Sequence, residues 1–510
     1  MSLTIRLPGD RMKPILTIAL KGLLILSCLS QAAIAAPPPQ TAPDVSAFSL
    51  SSYPEQRSVR QILKIDGRAL TYTVSIGVIP VRDAQGAIIG ALSYIAYTMP
   101  PRSGEKRPVT FAMNGGPGSS SAGINMKGLG PKRVVLDPGQ PARHVVIDNA
   151  DSWLPFTDLV FLDAMGTGYS RSFLPETESR RAFYQHESDV RYLAQSIQSW
   201  LQSNDRAGSD KYLVGESYSG YRAPRILAYL NDELSTPFDG LVLLSPLMNQ
   251  DQSKQIEILP SPTPWIASLV SAAAAQLDRQ GKLSAASMAP IEQFARTDYA
   301  LYLLEGRTHP ERLAQLVDIL VPMTGLSREY LLKTGGKVEP QSYLQEIYKS
   351  RGQLANYFDT TIAYPNPFPV PNDDGTVFAA LVDDTNPEVT SDMTSFISDT
   401  LKWKPTIPYM GFSFDVNRSF VWARNTDSNE SYSTLRRLLA QNSHLRVMLA
   451  HGYSDIACPY FADILAIEQI PTEAGRGRVK ISTYPGGHMF YNRTASLRAF
   501  TQDAKDMYIQ

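Results

Sequence analysis

Lys211-Tyr-Leu-Val-Gly-Glu-Ser-Tyr-Ser-Gly220 joins an apolar run to a turn of small residues around a single central serine. A short apolar run stops at Gly215, Ser217 stands between Glu216 and Tyr218, and a helix-permissive segment follows, Tyr221–Leu230. This is the layout of a nucleophile elbow, in which a strand enters, a tight turn holds one serine on a strained backbone, and a helix leaves. Such a turn brings strand and helix too close for bulky side chains, so residues 215, 219 and 220 are small. In the shorthand Gly-x-Ser-x-Gly the last glycine is Ser219 here, with Gly220 one step later. A serine among small residues is by itself more often an ordinary turn, and its meaning depends on what the other strands deliver.

Those strands are legible. Pro108–Met113, Asp158–Leu162, Asp239–Ser245, His444–Ala450 and Arg478–Tyr484 are short apolar runs of buried-strand type. Helical spacing predicts helices over Glu187–Gln202, Tyr432–Ala440 and Thr494–Ile509. Buried strands alternating with helices indicate an α/β fold, with a mostly parallel central sheet covered on both faces. Ahead of it, Arg60–Ile65, Leu70–Ile79 and Ala87–Tyr97 read as an antiparallel meander, turning at Asp66-Gly67 and at Asp83–Gly86. Between residues 249 and 404 the strand pattern gives way to helical candidates, Trp265–Gln280, Pro310–Leu320 and Ser327–Thr334, and to a proline-rich loop, Tyr364–Pro371. The expected organisation is a core in two parts, 53–248 and 405–510, carrying a largely helical cap inserted at 249–404.

The chain has 510 residues, 43% hydrophobic and 19% charged, the balance of an ordinary globular protein large enough for a core with an insertion. A net charge of −1 supplies no field for nucleic acid or an anionic membrane surface. Arg6, Arg11 and Lys13 precede the apolar run Ile15–Leu29 and the small-residue stretch ending at Ala33-Ile-Ala35. This predicts a secretory signal peptide over 1–35, cut after Ala35, and a flexible Pro/Ala/Ser-rich lead-in over 36–52. A retained anchor is the weaker reading because the run is short and Lys21 interrupts it; lipidation at Cys28 is weaker still. After cleavage only Cys458 remains, so no internal disulfide can form, which points to an exported bacterial protein, periplasmic or extracellular. No stable membrane insertion of the cleaved chain is expected.

In open α/β sheets the ligand sits beyond the carboxyl ends of the strands. Four such ends carry loops worth examining: 114–121, 215–220, 451–458 and 485–489. They supply a glycine-rich turn, Ser217, Asp455 and His488. The order Ser, Asp, His is the one that the α/β-hydrolase fold uses. Serine is a poor nucleophile until a histidine takes its proton, and an acid must orient that histidine. His451 precedes the acid and is read as structural; His144, His186, His309 and His444 lie away from glycine-rich strand exits and are read as surface or packing residues. Asp163 precedes the serine and is the weaker acid. Asn114-Gly-Gly-Pro-Gly118 lacks the Gly-Lys-Ser/Thr of a phosphate loop and can instead aim backbone N–H groups, those of Gly116 and Tyr218, at a developing oxyanion. No metal or other cofactor is expected.

Asn114-Gly-Gly-Pro-Gly-Ser-Ser-Ser121, Gly215-Glu-Ser-Tyr-Ser-Gly220, Asp455-x-x-Cys458 and Gly487-His-Met489, in this order, resemble the serine carboxypeptidase family, in the form of its bacterial secreted members. The likeness runs from about residue 60 to the C-terminus, most of the cap excepted. It implies an exopeptidase acting on peptides with a free C-terminal carboxylate through an acyl-enzyme on Ser217. His488 would be base and then acid, and Asp455 its orienting group. The resemblance also implies that Asn114, the Gly115 amide and Glu216 hold the terminal carboxylate, and that Cys458 and Met489 lie near the site. A glutamate can hydrogen-bond a carboxylate without repulsion only if one of the two carries a proton, so peptide hydrolysis is expected to favour acidic pH. The chain departs from the family pattern at Ser119, where many members have cysteine, and near Gly128, where a second glutamate is often found. An esterase or acyltransferase would use the same triad, and a non-catalytic binding protein would not need it.

Overall fold

Asp66 and Gly67 both take positive φ, +48° and +73°, and fold Arg57–Ile65 (β1) back on Arg68–Arg82 (β2). Such a two-residue turn matches the right-handed twist of the strands it joins. β2 pairs in turn with Ile88–Thr98 (β3), completing the expected antiparallel meander. The computed structural model describes residues 48–101, 106–137, 140–249, 261–306, 309–366, 387–422 and 431–509. The signal sequence expected at 1–35, with Cys28, lies outside the described residues, as do most of the lead-in and parts of the inserted stretch.

The remaining strands are Val109–Met113 (β4), Lys132–Asp137 (β5), Gln140–Asp148 (β6), Asp158–Leu162 (β7), Arg171–Ser172 (β8), Lys211–Glu216 (β9), Gly240–Leu244 (β10), Gln353–Ala355 (β11), Ala363–Pro365 (β12), Arg446–Gly452 (β13) and Val479–Tyr484 (β14). Among the described residues, the main sheet runs β1-β2-β3-β7-β4-β9-β10-β13-β14, with β8 paired to β3. From β7 onward every pairing is parallel. All five residues of β4, β7 and β10 are buried, as strands covered on both faces must be. The register aligns Met113 with Gly215, Glu216 with Leu244, Leu244 with Ala450 and Gly452 with Tyr484. The loops leaving β4, β9, β13 and β14 therefore open at one edge of the sheet.

Helices Glu176–Phe183 (α1), His186–Ser203 (α2) and Ser219–Asp232 (α3), with Tyr432–Gln441, cover one face. Ile197, Trp200, Ile226, Leu230, Leu435 and Leu439 bury their apolar stripes there. The closing helix Thr494–Ile509 covers the other face, where Leu497, Phe500 and Met507 join Trp153 and Tyr484. The described part of the inserted stretch is mainly helical and packs in two places. Its helices between 263 and 346 build a cluster of their own around Leu269, Tyr299, Val317 and Tyr343, reaching Tyr460 and Phe461. Val389, Met393, Ile397 and Trp403 instead belong to the sheet core, with Trp403 edge-on to Tyr169 at 5.3 Å. The β5–β6 hairpin, antiparallel and separate from the main sheet, was not expected; Leu136, Val146 and Ile147 are exposed on it, so it shows no clean inside–outside alternation. No helix among the described residues is long and apolar enough to cross a membrane.

Candidate active site

β9 delivers Glu216 and then Ser217, whose φ of +57° is the left-handed conformation a serine adopts only when the surroundings impose it. The Ser217 N–H donates to the Leu244 carbonyl (3.0 Å), and the Ser217 carbonyl accepts from Gly220 (2.7 Å) and Leu247 (2.9 Å). These bonds tie the elbow to β10 and its exit loop. A Cβ on Gly220 would stand 2.3 Å from Cβ of Pro246, so the demand for a small residue comes from this neighbouring loop. Gly115 is equally constrained: a Cβ there would lie 2.6 Å from both the Glu216 carbonyl and the Tyr218 nitrogen. The glycine loop thus lies directly on the elbow.

Ser219, which replaces the last glycine of the shorthand, has a task of its own. Its hydroxyl donates to the Asn114 carbonyl at 2.8 Å, and the Arg222 guanidinium donates to both, at 3.0 Å to Ser219 Oγ and 2.6 Å to Asn114 O. Arg222 is buried with Asp189 at 3.2 Å, and Asp189 also accepts from the hydroxyls of Tyr192 (2.8 Å) and Tyr218 (3.1 Å). A buried charge is tolerated only when paired and hydrogen-bonded, and this one is both.

His488 and Asp455 meet at the exits of β14 and β13. His488 Nδ1 is 2.8 Å from Asp455 Oδ2, and both residues are buried. The other carboxylate oxygen, Oδ1, accepts the N–H groups of Ala457 and Cys458, each at 2.9 Å. Burial opposes a charged His488, yet the carboxylate and its hydrogen bond carry the imidazole well above the usual histidine range. Cys458 lies beside the pair; its Sγ, a ring nitrogen of His488 and a carboxylate oxygen of Asp455 all fall within 4.8 Å of one another. Burial pushes its thiol up to about 11, so it contributes no charge at neutral pH. The backbone of His488 is clamped as well: its N–H donates to Phe358 O (2.5 Å) and its carbonyl accepts from Ser245 Oγ (2.7 Å). The Phe358 ring, supplied by the inserted stretch, lies 5.4 Å from the imidazole.

Ser217, His488, Cys458, Met489, Gly115, Gly116, Asn114 and Glu216 line one cavity of about 520 Å³. Its polar end is built on Glu216. Asn114 Nδ2 donates to Glu216 Oε2 at 2.5 Å, and Tyr491 Oη donates to Oε1 at 2.9 Å. The Ile124 N–H donates to Asn114 Oδ1 at 3.0 Å, which turns the amide nitrogen toward the glutamate. Burial raises the Glu216 carboxyl above its usual range, with His488, the Tyr491 hydrogen bond and Lys127 opposing and Asp455 adding to the rise. Tyr218, the other expected oxyanion residue, buries its ring beneath the elbow.

The histidines read as structural fall elsewhere. His186 is buried edge-on to Tyr221, where burial and two nearby arginines lower it to about 3. His451 is buried with Nε2 2.9 Å from Asp463, though out of hydrogen-bonding alignment. Asp163 is buried with Ser93 and the Ser121 N–H and raised to about 6, chiefly by burial. Lys127, Tyr491, Tyr357 and Phe358 also line the cavity and were not foreseen. Tyr491, three residues past His488, stood close enough to be suspected; the others occupy stretches with no motif.

A mostly parallel sheet flanked by helices, with a serine elbow and an Asp–His pair at its carboxyl edge, defines the α/β-hydrolase fold. The crystal structure of a prohormone-processing carboxypeptidase from Saccharomyces cerevisiae shares it, at a TM-score of 0.51 and 17% identity over 86% of this chain and 91% of that one. Residues 91–480 match the model of the serine carboxypeptidase family, and the chain belongs to that family. Among curated relatives, serine carboxypeptidase-like 36 of Arabidopsis thaliana is 28% identical over 167 residues, 32% of this chain. A pheromone-processing carboxypeptidase, KEX1 of Puccinia graminis, is 28% identical over 214 residues, 40% of this chain. The matches span 33% and 29% of those relatives' lengths.

Proposed function

We propose that the chain is a serine-type carboxypeptidase that releases the C-terminal residue of peptides, with Ser217, Asp455 and His488 as its triad. The observation that carries this reading is the shared cavity: Ser217, His488, Asn114 and Glu216 all line it, and Asp455, buried behind the wall, lies 2.8 Å from His488. Family membership supports the same reading.

In the proposed reaction His488 Nε2 takes the Ser217 hydroxyl proton as Oγ attacks the scissile carbonyl. The negative charge gathers on the carbonyl oxygen, where the Gly116 and Tyr218 amides would receive it; among the described residues neither N–H donates to a backbone carbonyl. Collapse breaks the C–N bond, and the proton passes from His488 to the departing amine. Water then attacks the acyl-enzyme, giving its proton to His488, and Ser217 regains it as the acid product leaves. Asn114, the Gly115 amide and Glu216 would hold the terminal carboxylate, and Cys458 and Met489 shape the wall beside the histidine. We also infer that residues 249–404 form a largely helical insertion in the core and that residues 1–35 direct export.

Two pH limbs follow for peptides. Activity should rise as His488 loses its proton, and kcat/KM should decline in part, through KM, as Glu216 loses the proton that suits a bound carboxylate. An ester without a terminal carboxylate should lack the falling limb. A fluorophosphonate probe should label the wild type and not Ser217→Ala, and mass spectrometry of a peptide digest should show a ladder shortened from the C-terminus. Labelling with ester cleavage but no ladder would assign the chain to an esterase; labelling that survives Ser217→Ala would remove the nucleophile.

A further inference from the structure

The polar end of the cavity presents an electrostatic difficulty. Both oxygens of Glu216 already accept hydrogen bonds, from Asn114 and Tyr491, and both of those donors suit an ionised carboxylate. The Asn114 amide cannot turn to offer its oxygen, because Ile124 holds that oxygen in place. Asp455 adds a second negative charge near Glu216, and His488 and Lys127 are positive groups that oppose it. A peptide carboxylate entering beside an ionised Glu216 would be repelled strongly in a site of low dielectric.

Lys127 lines the same cavity, half-buried, on the turn Ile124–Leu129 whose first N–H positions Asn114. Its ammonium reaches Glu216 electrostatically. Arg418, the other permanent cation among the described lining residues, has its guanidinium carbon 5.6 Å from the centre of the Phe414 ring. Building on the carboxypeptidase reading above, we propose that Lys127 is a specificity residue that pairs with the terminal carboxylate of the peptide and keeps the site competent when Glu216 is ionised. Two modes of recognition result. At low pH a protonated Glu216 can donate to the substrate; above its titration the lysine charge offsets the two carboxylates. The pairing exists equally in the bound substrate and the transition state, so it acts on KM and not on kcat.

The test compares wild type, Lys127→Met and Lys127→Arg on an N-blocked dipeptide with a free carboxylate and on its C-terminal methyl ester. For the acid at pH 8, Lys127→Met should raise KM roughly 10- to 100-fold, the range for one ionic hydrogen bond, with kcat little changed. At pH 5 the KM difference should shrink to about threefold or less, and Lys127→Arg should recover most of the loss at pH 8. The ester should not distinguish the three proteins. Equal KM for wild type and Lys127→Met on the acid at pH 8 overturns the proposal, as does an equal rise for the ester. A wild type that cleaves the ester and leaves the acid intact overturns the carboxypeptidase reading itself, and this proposal with it.

Discussion

Asp455→Asn should cost about ten-thousandfold in kcat without unfolding the protein, and the geometry around the carboxylate says why. Oδ1 accepts the buried N–H groups of Ala457 and Cys458 at 2.9 Å each, whereas Oδ2 faces His488 Nδ1 at 2.8 Å. An asparagine must choose which atom to place where. With nitrogen at the Oδ1 position, two buried N–H donors would face an NH₂ group and lose their acceptor, at about 1–3 kcal/mol each. With oxygen there, both bonds survive and the NH₂ group points at Nδ1. The second arrangement is favoured by about 2–6 kcal/mol on that count. The imidazole must then accept at Nδ1 and carry its proton on Nε2, where it cannot take one from Ser217. Loss of the correct tautomer in a serine triad costs about 10⁴ in kcat, or roughly 5.4 kcal/mol of barrier. Steady-state kinetics on a peptide and an ester, with circular dichroism and urea unfolding as fold controls, would measure it. Asp455→Ala is the companion: it strands both N–H donors and should also lose stability, by about 2–6 kcal/mol. A folded Asp455→Asn protein within tenfold of wild-type kcat would refute the assignment of Asp455.

Gly220→Ala should destabilise the fold by about 1–3 kcal/mol or more, since its Cβ would stand 2.3 Å from Pro246; urea unfolding reads this, and a neutral result would contradict the packing. Arg222→Met leaves the Asp189 charge buried with tyrosine donors and removes one of the two donors to the Asn114 carbonyl, so a loss of about 3–5 kcal/mol is expected, and Arg222→Met with Asp189→Asn should regain part of it. The Cys458 thiol, raised to about 11 and buried, should react with iodoacetamide at pH 8 far more slowly than it does in urea; equal rates would mean that the cavity wall opens.

Much of this site is visible in the one-dimensional pattern, and for a definite reason. The elbow, the glycine loop and the two strand exits are short segments whose backbone shape depends on their own small residues, so Ser217, Asp455 and His488 could be nominated from order and local context. Lys127 and Phe358 could not. The turn that carries Lys127 has no periodicity linking it to β9, and Phe358 reaches His488 from a stretch with no strand or glycine signal. The described part of 249–404 likewise looks uniform along the chain, although its helices at 263–346 gather in one cluster while Val389–Trp403 joins the sheet core.

The α/β alternation, the antiparallel meander, the serine in its small-residue turn and the order of the candidate triad are all legible along the chain, because each is encoded in spacing over a few residues. What those residues face depends on long-range packing. Ser219 bonds to Asn114, Tyr491 donates to a glutamate 275 positions earlier, and Lys127 joins the same cavity. Such contacts depend on parallel strands bringing distant loops to one sheet edge. They change Ser219 from an imperfect motif letter into a support for the glycine loop, and Glu216 from a turn neighbour into a clamped, buried carboxyl group.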